Sequence, residues 1–475
     1  MLFCSQAYLL FFVTIFALYW ATPWQRTRVW LLLVASFFFY ACWNHWLACL
    51  IGFSTFIDFW LAGRMESSSS RRGRKFLLVI SVVGNLGLLC YFKYANFFLE
   101  SLEAALDRFG VQGSMPTLSV IVPIGISFYT FEAINYMVDV YRRKIPAERS
   151  LANFMLFITF FPHLVAGPIV RARDFLPQIH RPKRWNWARL HLGVQFLLMG
   201  MFKKLAVADR MACLVDPVFE NPDFYPTHTL WLAMIGYALQ VYGDFSGYTD
   251  MAIGSAHLLG YKLAQNFNMP YLARNIAEFW RRWHISLSSW LRDYLYFPLG
   301  GSRRGPWITC RNLMIVMTIA GLWHGAAWNY VLFGVIHGLL LSGYHFFHKW
   351  TETKPALNIA LTSAPGTAAC VMMTFTTFCL TLVVFRSHSL ESAGVYFQGL
   401  FSAQTGLGRA PIHPISLLLT LLVVAMCHGV ALRGWHRVGL ARMPAPVVGA
   451  SYAVLLTFIL VLAPASAKAF IYFQF

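Results

Sequence analysis

The stretch AYLLFFVTIFALYWA, residues Ala7 to Ala21, contains no charged side chain and is followed by Thr22 and Pro23. It lacks a basic leader and a small-residue cleavage site, so we expect a retained first membrane span and not a removed signal peptide. Apolar runs long enough to cross a bilayer recur along the chain. In hydrocarbon every backbone polar group needs a partner within the protein. The pattern therefore predicts an all-α polytopic membrane protein.

Composition excludes a soluble globular protein. Of the 475 residues 58% are hydrophobic and 12% are charged, whereas soluble domains have about a quarter charged residues. The formal net charge is +19, but Lys and Arg occur in short segments between apolar runs, as membrane orientation requires. We therefore expect a lipid bilayer as the surroundings and no nucleic acid as a partner.

Basic loops predict the topology, because cytoplasmic loops are enriched in Lys and Arg. Arg26 and Arg28 follow the first run, and five basic residues lie between Arg64 and Lys75. Alternating basic and non-basic loops from there gives roughly eleven transmembrane helices, with the N-terminus and the C-terminus both outside the cytoplasm.

One apolar run does not fit this alternation. Residues 151–170 have basic loops on both sides and contain Pro162, Gly167 and Pro168. Proline interrupts helices, and irregular backbone at membrane depth is tolerated only inside protein or along a cavity. We expect a re-entrant or interfacial segment here.

A second unusual stretch, EFWRRWHISLSSWLRDYLYFPLGGSRRG, covers Glu278 to Gly305. Its many charges make a lipid-facing span costly. Six apolar residues share one side of a helix drawn through it, and they are Phe279, Trp283, Leu287, Trp290, Leu291 and Tyr294. This pattern predicts an amphipathic helix at the inner interface. His284 lies near its apolar side, where a solvated imidazole has no obvious reason to be.

Polar residues also recur inside two other apolar runs. Glu132, Asn135 and Asp139 have helical spacing and must face protein or a wet cavity. In QVYGDFSGYTDMAIG, polar residues around Asp244 lie in a stretch that its glycines predict to be bent. Hydrogen bonds between helices are the expected role for most of them, and one or two are expected to line a substrate path.

The stretch AGLWHGAAW, Ala320 to Trp328, places His324 in an uncharged run. The histidine is open to three interpretations, as a packing residue, a metal ligand or a catalytic base. The HExxH pattern is absent and His337 lies on the next predicted span, so we expect no metal site. Packing and catalysis both remain open from the residues alone.

Several stretches together resemble the membrane-bound O-acyltransferases (MBOATs), and specifically their bacterial AlgI-like branch. The resemblance extends from about Tyr91 to Gly338 and is supported by YFKYANFF, VPIGISFYTFEAINYMVDVYR, FPHLVAGPIVR, DFSGYTDMAIG, NFNMPY, EFWRRWHISLSSWLRDYLYFPLGG and GLWHG. It implies a single domain over residues 1–475, an MBOAT-like helical core around a funnel, with re-entrant and interfacial helices. Residues 339–475 would add C-terminal transmembrane helices and an aromatic tail.

The resemblance also implies the chemistry. The WHG motif makes His324 the expected catalytic residue, and the WHIS motif makes His284 a second functional histidine on the cytosolic side. The expected donor is cytosolic acetyl-CoA, used as a substrate and not as a resident cofactor, and the acceptor is extracytoplasmic. Arg281 and Arg282 suit the phosphates of CoA. Trp323, Asn329 and Asp244 are further candidates for contact with substrates, Asn329 as an oxyanion donor.

The tail FIYFQF ends the chain. It is either an aromatic cluster at the outer interface or a functional element. It resembles the tyrosine-containing C-terminal motif of a small membrane peptide in lipoteichoic acid D-alanylation. That likeness predicts that Tyr472 accepts an acyl group and passes it on outside the cytoplasm.

Three functions are compatible with the sequence. The first is transfer of acetyl groups across the bacterial inner membrane for O-acetylation of a secreted polysaccharide such as alginate or cellulose, with a periplasmic acetyltransferase or another polysaccharide-modifying protein as partner. The others are D-alanyl transfer to teichoic acid and polysaccharide or lipid transport without covalent chemistry. The absence of a detectable repeat disfavours a transporter.

Overall fold

The computed structural model describes residues 3–111, 113–165, 167–411, 414–432, 443–463 and 470–471. Within these ranges the secondary structure is helical and includes no β-strand. The expectation of an all-α polytopic membrane protein is confirmed.

Seven described helices are long and apolar enough to cross a membrane, judged by length and composition. They are His45–Ser67, Arg71–Arg108, Trp187–Glu220, Trp328–Glu352, Ala364–Arg386, Pro414–Ala431 and Ala445–Leu462. The run expected to be the first span forms a shorter apolar helix, Gln6–Ala21, which the Ser5 side chain caps by accepting a hydrogen bond from the Tyr8 backbone. The number of crossings and the sides of the two termini stay predictions.

The chain packs as two compact units. The first consists of Met1–Leu197 and Thr249–Ala264, and the second of Leu198–Tyr248 and Gln265–Phe475. Two helices, Trp187–Met201 and Thr227–Leu258, continue from one unit into the other. The other helices of the first unit are Gln25–Ala41, His45–Ser67, Arg71–Leu89, the π-helix Cys90–Tyr94, Ala95–Arg108, Ile126–Tyr141, Leu151–Thr159, Phe161–Leu164 and Ala172–His180.

The second unit contains the histidines singled out by sequence. Beyond the two shared helices, its α-helices are Asp209–Glu220, Ile276–Arg282, Ile285–Leu291, Pro306–His324, Trp328–Glu352, Pro355–Thr362, Ala364–Arg386, Leu390–Phe401, Pro414–Leu432 and Ala445–Leu462. It also has π-helices at Phe202–Ala208 and Arg292–Tyr296 and short 3₁₀-helices at Pro222–Phe224 and Pro270–Leu272.

The segment expected to be irregular does interrupt its helix. The helix Leu151–Thr159 stops at Phe160, and a single turn, Phe161–Leu164, follows it. The described residues 165 and 167–171 are not helical. Asn135 donates from Nδ2 to the Val170 carbonyl at 3.0 Å, and Glu132 Oε1 accepts from the Val170 backbone N–H at 2.8 Å. The polar stripe of the Ile126–Tyr141 helix thus supplies the hydrogen bonds that this irregular backbone requires.

Close packing of two helices in the second unit positions the WHG motif. Pro306–His324 lies against Trp328–Glu352 through glycines on both sides. A Cβ atom on Gly321 would lie 2.2 Å from the Tyr330 carbonyl oxygen, and one on Gly334 would lie 2.3 Å from the Met317 carbonyl oxygen. Small residues permit this approach of two backbones, as at many helix interfaces in membranes.

We predict that Gly321→Ala lowers the free energy of unfolding by about 1–3 kcal/mol, because the added methyl group forces the two backbones apart. Thermal unfolding of detergent-solubilised protein, followed by tryptophan fluorescence, measures the change. Gly343→Ala is the matched control, since Gly343 lies on the partner helix with no atom within 4 Å of its Cβ position. Equal unfolding temperatures for the two variants would contradict the prediction.

Candidate active site

His324 is the last residue of the Pro306–His324 helix, and extended backbone at Gly325 ends that helix. The imidazole is buried among aromatic rings. Ring centroids lie 5.1 Å away for Trp323, 5.4 Å for Phe385 and 6.5 Å for Phe333. The ring is thus enclosed largely by aromatic side chains.

The prediction of one continuous amphipathic helix between Glu278 and Gly305 is wrong. It is broken into Ile276–Arg282 and Ile285–Leu291, and His284 stands between them with φ of 44° in the left-handed region. A non-glycine residue in that region is uncommon and is stabilised by its surroundings. The six apolar residues that predicted one helix are divided among these two helices, the break at Trp283 and the π-helix Arg292–Tyr296.

Asn266 stabilises the interruption of the helix at His284 through two hydrogen bonds. Its carbonyl oxygen accepts from Ile285 N at 2.9 Å, and its side-chain Oδ1 accepts from Ser286 N at 3.1 Å. These bonds satisfy backbone donors that have no partner at the start of a helix. The sequence reasoning missed Asn266, although it lies in the motif NFNMPY that supported the family resemblance.

The break brings the two histidines of the WHIS and WHG motifs together. Their ring centroids are 6.4 Å apart, and Trp323 contacts both rings, at 5.8 Å from His284 and 5.1 Å from His324. This separation is too large for a direct hydrogen bond between ring nitrogens, which needs about 3 Å. Two imidazoles and one indole therefore line the same small region of the second unit.

His284 is fully buried, and the edge of Phe245 packs on it at 4.7 Å. Among the described residues neither of its ring nitrogens has a hydrogen-bond partner. Burial lowers the pKa of His284 to about 3. The side chain is therefore neutral at physiological pH, with one ring nitrogen able to donate and the other able to accept.

His337 differs from this pair because the chain satisfies both of its ring nitrogens. Nδ1 accepts from the indole N–H of Trp280 at 3.2 Å, and Nε2 lies 3.1 Å from Thr381 Oγ1. It is a packing histidine that joins three helices. Among the described residues no group of three or more His, Cys, Asp or Glu side chains is placed to hold a metal ion.

The two predicted phosphate-binding arginines differ in their surroundings. Arg282 is engaged by the chain: its Nη2 lies 2.8 Å from Glu278 Oε1 and its Nη1 donates to the Asn268 carbonyl at 3.1 Å. Arg274 contacts the other oxygen of Glu278. Arg281, the residue before Arg282 in the same helix, is exposed. Their role with CoA stays a prediction.

Asn329 is buried at the start of the Trp328–Glu352 helix. Its Nδ2 donates to the Ser387 carbonyl at 2.8 Å, which tethers this helix to the end of Ala364–Arg386. The amide is held in one orientation close in sequence to His324. The hydrogen bond to Ser387 does not test whether Asn329 is an oxyanion donor, and that role stays a prediction.

Asp244 lies in a helix and not in a bend. The predicted bend is wrong, because Thr227–Leu258 runs uninterrupted through Gly243 and Gly247. These glycines instead allow close approach of the π-helix Phe202–Ala208. Asp244 Oδ1 lies 2.7 Å from Lys204 Nζ, which is also 2.8 Å from Asp209 Oδ1. Its substrate contact stays a prediction.

Sequence reasoning missed Lys204, although a signal was present. The side chain is almost fully buried and lies within the candidate membrane span Trp187–Glu220. An ionisable residue inside a predicted membrane span is by itself a reason to look for a partner.

Tyr472 lies outside the described residues, but the two residues before it are described. The Phe470 ring lies 4.3 Å from that of Tyr248 and 6.0 Å from that of Phe245. The Ile471 backbone N–H donates to Asp244 Oδ2 at 2.7 Å. Since Phe245 also contacts His284, the described end of the tail lies against a neighbour of the histidine pair.

Comparison with known proteins identifies the family of the chain. The sequence profile of the MBOAT, membrane-bound O-acyltransferase family, matches residues 41–385. The probable alginate O-acetylase AlgI of Pseudomonas aeruginosa is 38% identical over 90% of this chain and 81% of its own length. The peptidoglycan O-acetyltransferase of Helicobacter pylori is 35% identical over 78% of this chain and 73% of its own.

A more distant relative, the teichoic acid D-alanyltransferase of Bacillus subtilis, is 30% identical over 50% of this chain and 62% of its own length. The paired histidines, their aromatic enclosure and the match over most of the sequence lead to one conclusion. The chain belongs to the membrane-bound O-acyltransferase family and is an acyltransferase.

Proposed function

We propose that the protein takes acetyl groups from cytosolic acetyl-CoA and delivers them across the bacterial inner membrane for O-acetylation of a secreted polysaccharide. The observation that supports this most directly is the pair of buried histidines, with ring centroids 6.4 Å apart around Trp323. The polysaccharide is of the alginate type, in keeping with the alginate O-acetylases that match over 90% of the chain. Cellulose is the second candidate polymer.

The reaction needs a base. His324 removes the proton from an acceptor hydroxyl as its oxygen attacks the thioester carbonyl carbon. The carbon–sulfur bond breaks, and the thiolate of CoA takes the proton back from the imidazolium. Products are CoA and an oxygen ester. His284, neutral in its apolar surroundings, donates a hydrogen bond to the carbonyl oxygen as negative charge develops there.

The first acceptor in this proposal is Tyr472. A phenol has a pKa near 10, so it is easier to deprotonate than a sugar hydroxyl, and the resulting aryl ester is a reactive carrier. A hydroxyl of the polysaccharide, or of a periplasmic acetyltransferase, then attacks the ester and regenerates the phenol. Both termini lie outside the cytoplasm in this scheme, as the basic loops predict.

The family assignment favours acyl transfer over a transporter. Teichoic acid D-alanylation remains the alternative acyl-transfer reaction. It is less favoured because the teichoic acid relatives match a smaller part of the chain than the alginate relatives do.

His324→Ala is expected to reduce CoA release from acetyl-CoA by about 100- to 10,000-fold, the usual contribution of a general base. Purified protein in detergent is incubated with labelled acetyl-CoA and a periplasmic extract. His348→Ala is the control, because His348 is a half-exposed histidine outside the site. A folded His324→Ala protein that releases CoA at the normal rate would remove His324 from this role.

Tyr472→Phe is expected to abolish acetylation of the secreted polymer while leaving folding and acetyl-CoA binding intact, since only the accepting oxygen is lost. Base-labile acetate on the polymer is measured in cells that have this protein as their single copy. Peptide mass spectrometry of the wild type should locate acetyl on Tyr472. Phe475→Leu is the control in the same tail. Normal acetylation by Tyr472→Phe would exclude the relay.

Arg281→Gln is expected to raise KM for acetyl-CoA about tenfold with kcat unchanged, as the loss of one charge-assisted hydrogen bond to a phosphate predicts. Initial rates of CoA release over a range of acetyl-CoA concentrations measure both constants. Arg274→Gln, which removes an arginine paired with Glu278, is the control. An unchanged KM in Arg281→Gln would contradict phosphate binding by this side chain.

A further inference from the structure

The mechanism above does not use Lys204, yet this side chain is among the most deeply buried charges of the second unit. Only 1% of its surface is exposed. Its ammonium group lies 2.8 Å from Asp209 Oδ1 and 2.7 Å from Asp244 Oδ1. Taking three ionisable side chains out of water is costly and persists only when good geometry and further hydrogen bonds offset that cost.

In this triad, Asp244 makes one further contact besides that with Lys204. Its second oxygen, Oδ2, accepts a hydrogen bond from the backbone N–H of Ile471 at 2.7 Å. That distance is typical of a strong hydrogen bond to an ionised acceptor.

Glycines on either side of Asp244 make this geometry possible. A Cβ atom on Gly243 would lie 3.0 Å from the Lys203 carbonyl oxygen, and one on Gly247 would lie 3.1 Å from the Lys204 backbone nitrogen. The helix that contains Asp244 therefore touches the backbone of the π-helix that contains Lys204. Larger residues at either position would push the ammonium group out of reach of the carboxylate.

The same helical turn connects the triad to the histidine pair. Phe245, next to Asp244, packs on His284 with ring centroids 4.7 Å apart and on Phe470 at 6.0 Å. Tyr248, one turn along, packs on Phe470 at 4.3 Å. One face of the helix thus contacts both His284 and the tail residues Phe470 and Ile471.

We propose that Asp244 is a positioning residue, which Lys204 and Asp209 hold in place so that it fixes the C-terminal tail at Ile471, one residue after the Phe470 ring that packs on Phe245. The inference rests on the proposed function, because its purpose is to present Tyr472 for acylation. It assigns the triad to positioning the acceptor and not to contact with CoA or polysaccharide.

Hydrogen exchange of the tail tests the anchor without any acyl chemistry. In folded wild-type protein the Ile471 amide should exchange slowly. Asp244→Ala should speed its exchange by about 10- to 100-fold, because a hydrogen bond to a charged group is lost. Asp244→Asn keeps an acceptor oxygen and should retain most of the protection. Equal exchange rates in wild type and a folded Asp244→Ala protein would overturn the proposal.

Kinetics test whether the anchor positions the acceptor. Ile471→Pro removes the donating N–H, replaces the Ile side chain and fixes the backbone φ angle, and it should lower kcat for acetyl transfer about 100-fold, the cost of a misplaced reacting group. KM for acetyl-CoA and the unfolding temperature should stay as in wild type. Ile471→Ala, which keeps the N–H, is the matched control. Normal kcat in a folded Ile471→Pro protein would overturn the positioning role.

The two tests separate failure of the anchor from failure of the proposed function. If wild-type protein turns over no acetyl-CoA, the exchange of Ile471 still decides whether Asp244 holds the tail. If Tyr472→Phe acetylates normally while Asp244→Ala frees the tail, the relay is excluded and the positioning role is overturned with it.

Discussion

Hydrocarbon offers no hydrogen bonds, so each interruption of a helix in this protein needs a partner within the chain. Buried asparagines supply several of them. Asn135 donates to the Val170 carbonyl beside the irregular 165–171 segment. Asn266 accepts from two backbone N–H groups after the break at His284. Asn312 donates to the Gly301 carbonyl in the turn before the WHG helix. The non-helical backbone is thus stabilised by a buried asparagine at these three places.

The same constraint shapes the candidate site. Rings of Phe245, Trp323, Phe333 and Phe385 surround the two histidines. The buried ammonium group of Lys204 instead contacts two carboxylates, those of Asp209 and Asp244. Neutral imidazoles suit acyl transfer, because one ring can take a proton while the other donates a hydrogen bond. Apolar packing therefore surrounds the histidine pair, whereas the buried charges lie around Lys204.

Sequence reasoning predicted the fold class and selected the histidines, because span length, sparse charge and isolated imidazoles are local features. It failed where distant residues compete with local periodicity. Phe279, Trp283 and Leu287 repeat at helical spacing, but Asn266 binds the backbone beyond His284 and breaks the helix there. The glycines beside Asp244 looked like a bend, since sequence does not show the helix packed against them. The assignment of Arg281, Asn329 and Tyr472 to substrates still rests on chemistry and resemblance.

The buried carboxylate of Asp244 also explains how the tail is held at Ile471. Asp244 and Asp209 share the ammonium group of Lys204. Because Asp244 is buried, its second oxygen needs a hydrogen-bond donor from within the protein. Ile471 supplies it, and Phe470 fills the adjoining apolar space between Phe245 and Tyr248. The tail is thereby fixed by a polar bond and an aromatic contact at adjacent residues, which defines both its position and its direction at the residue before Tyr472.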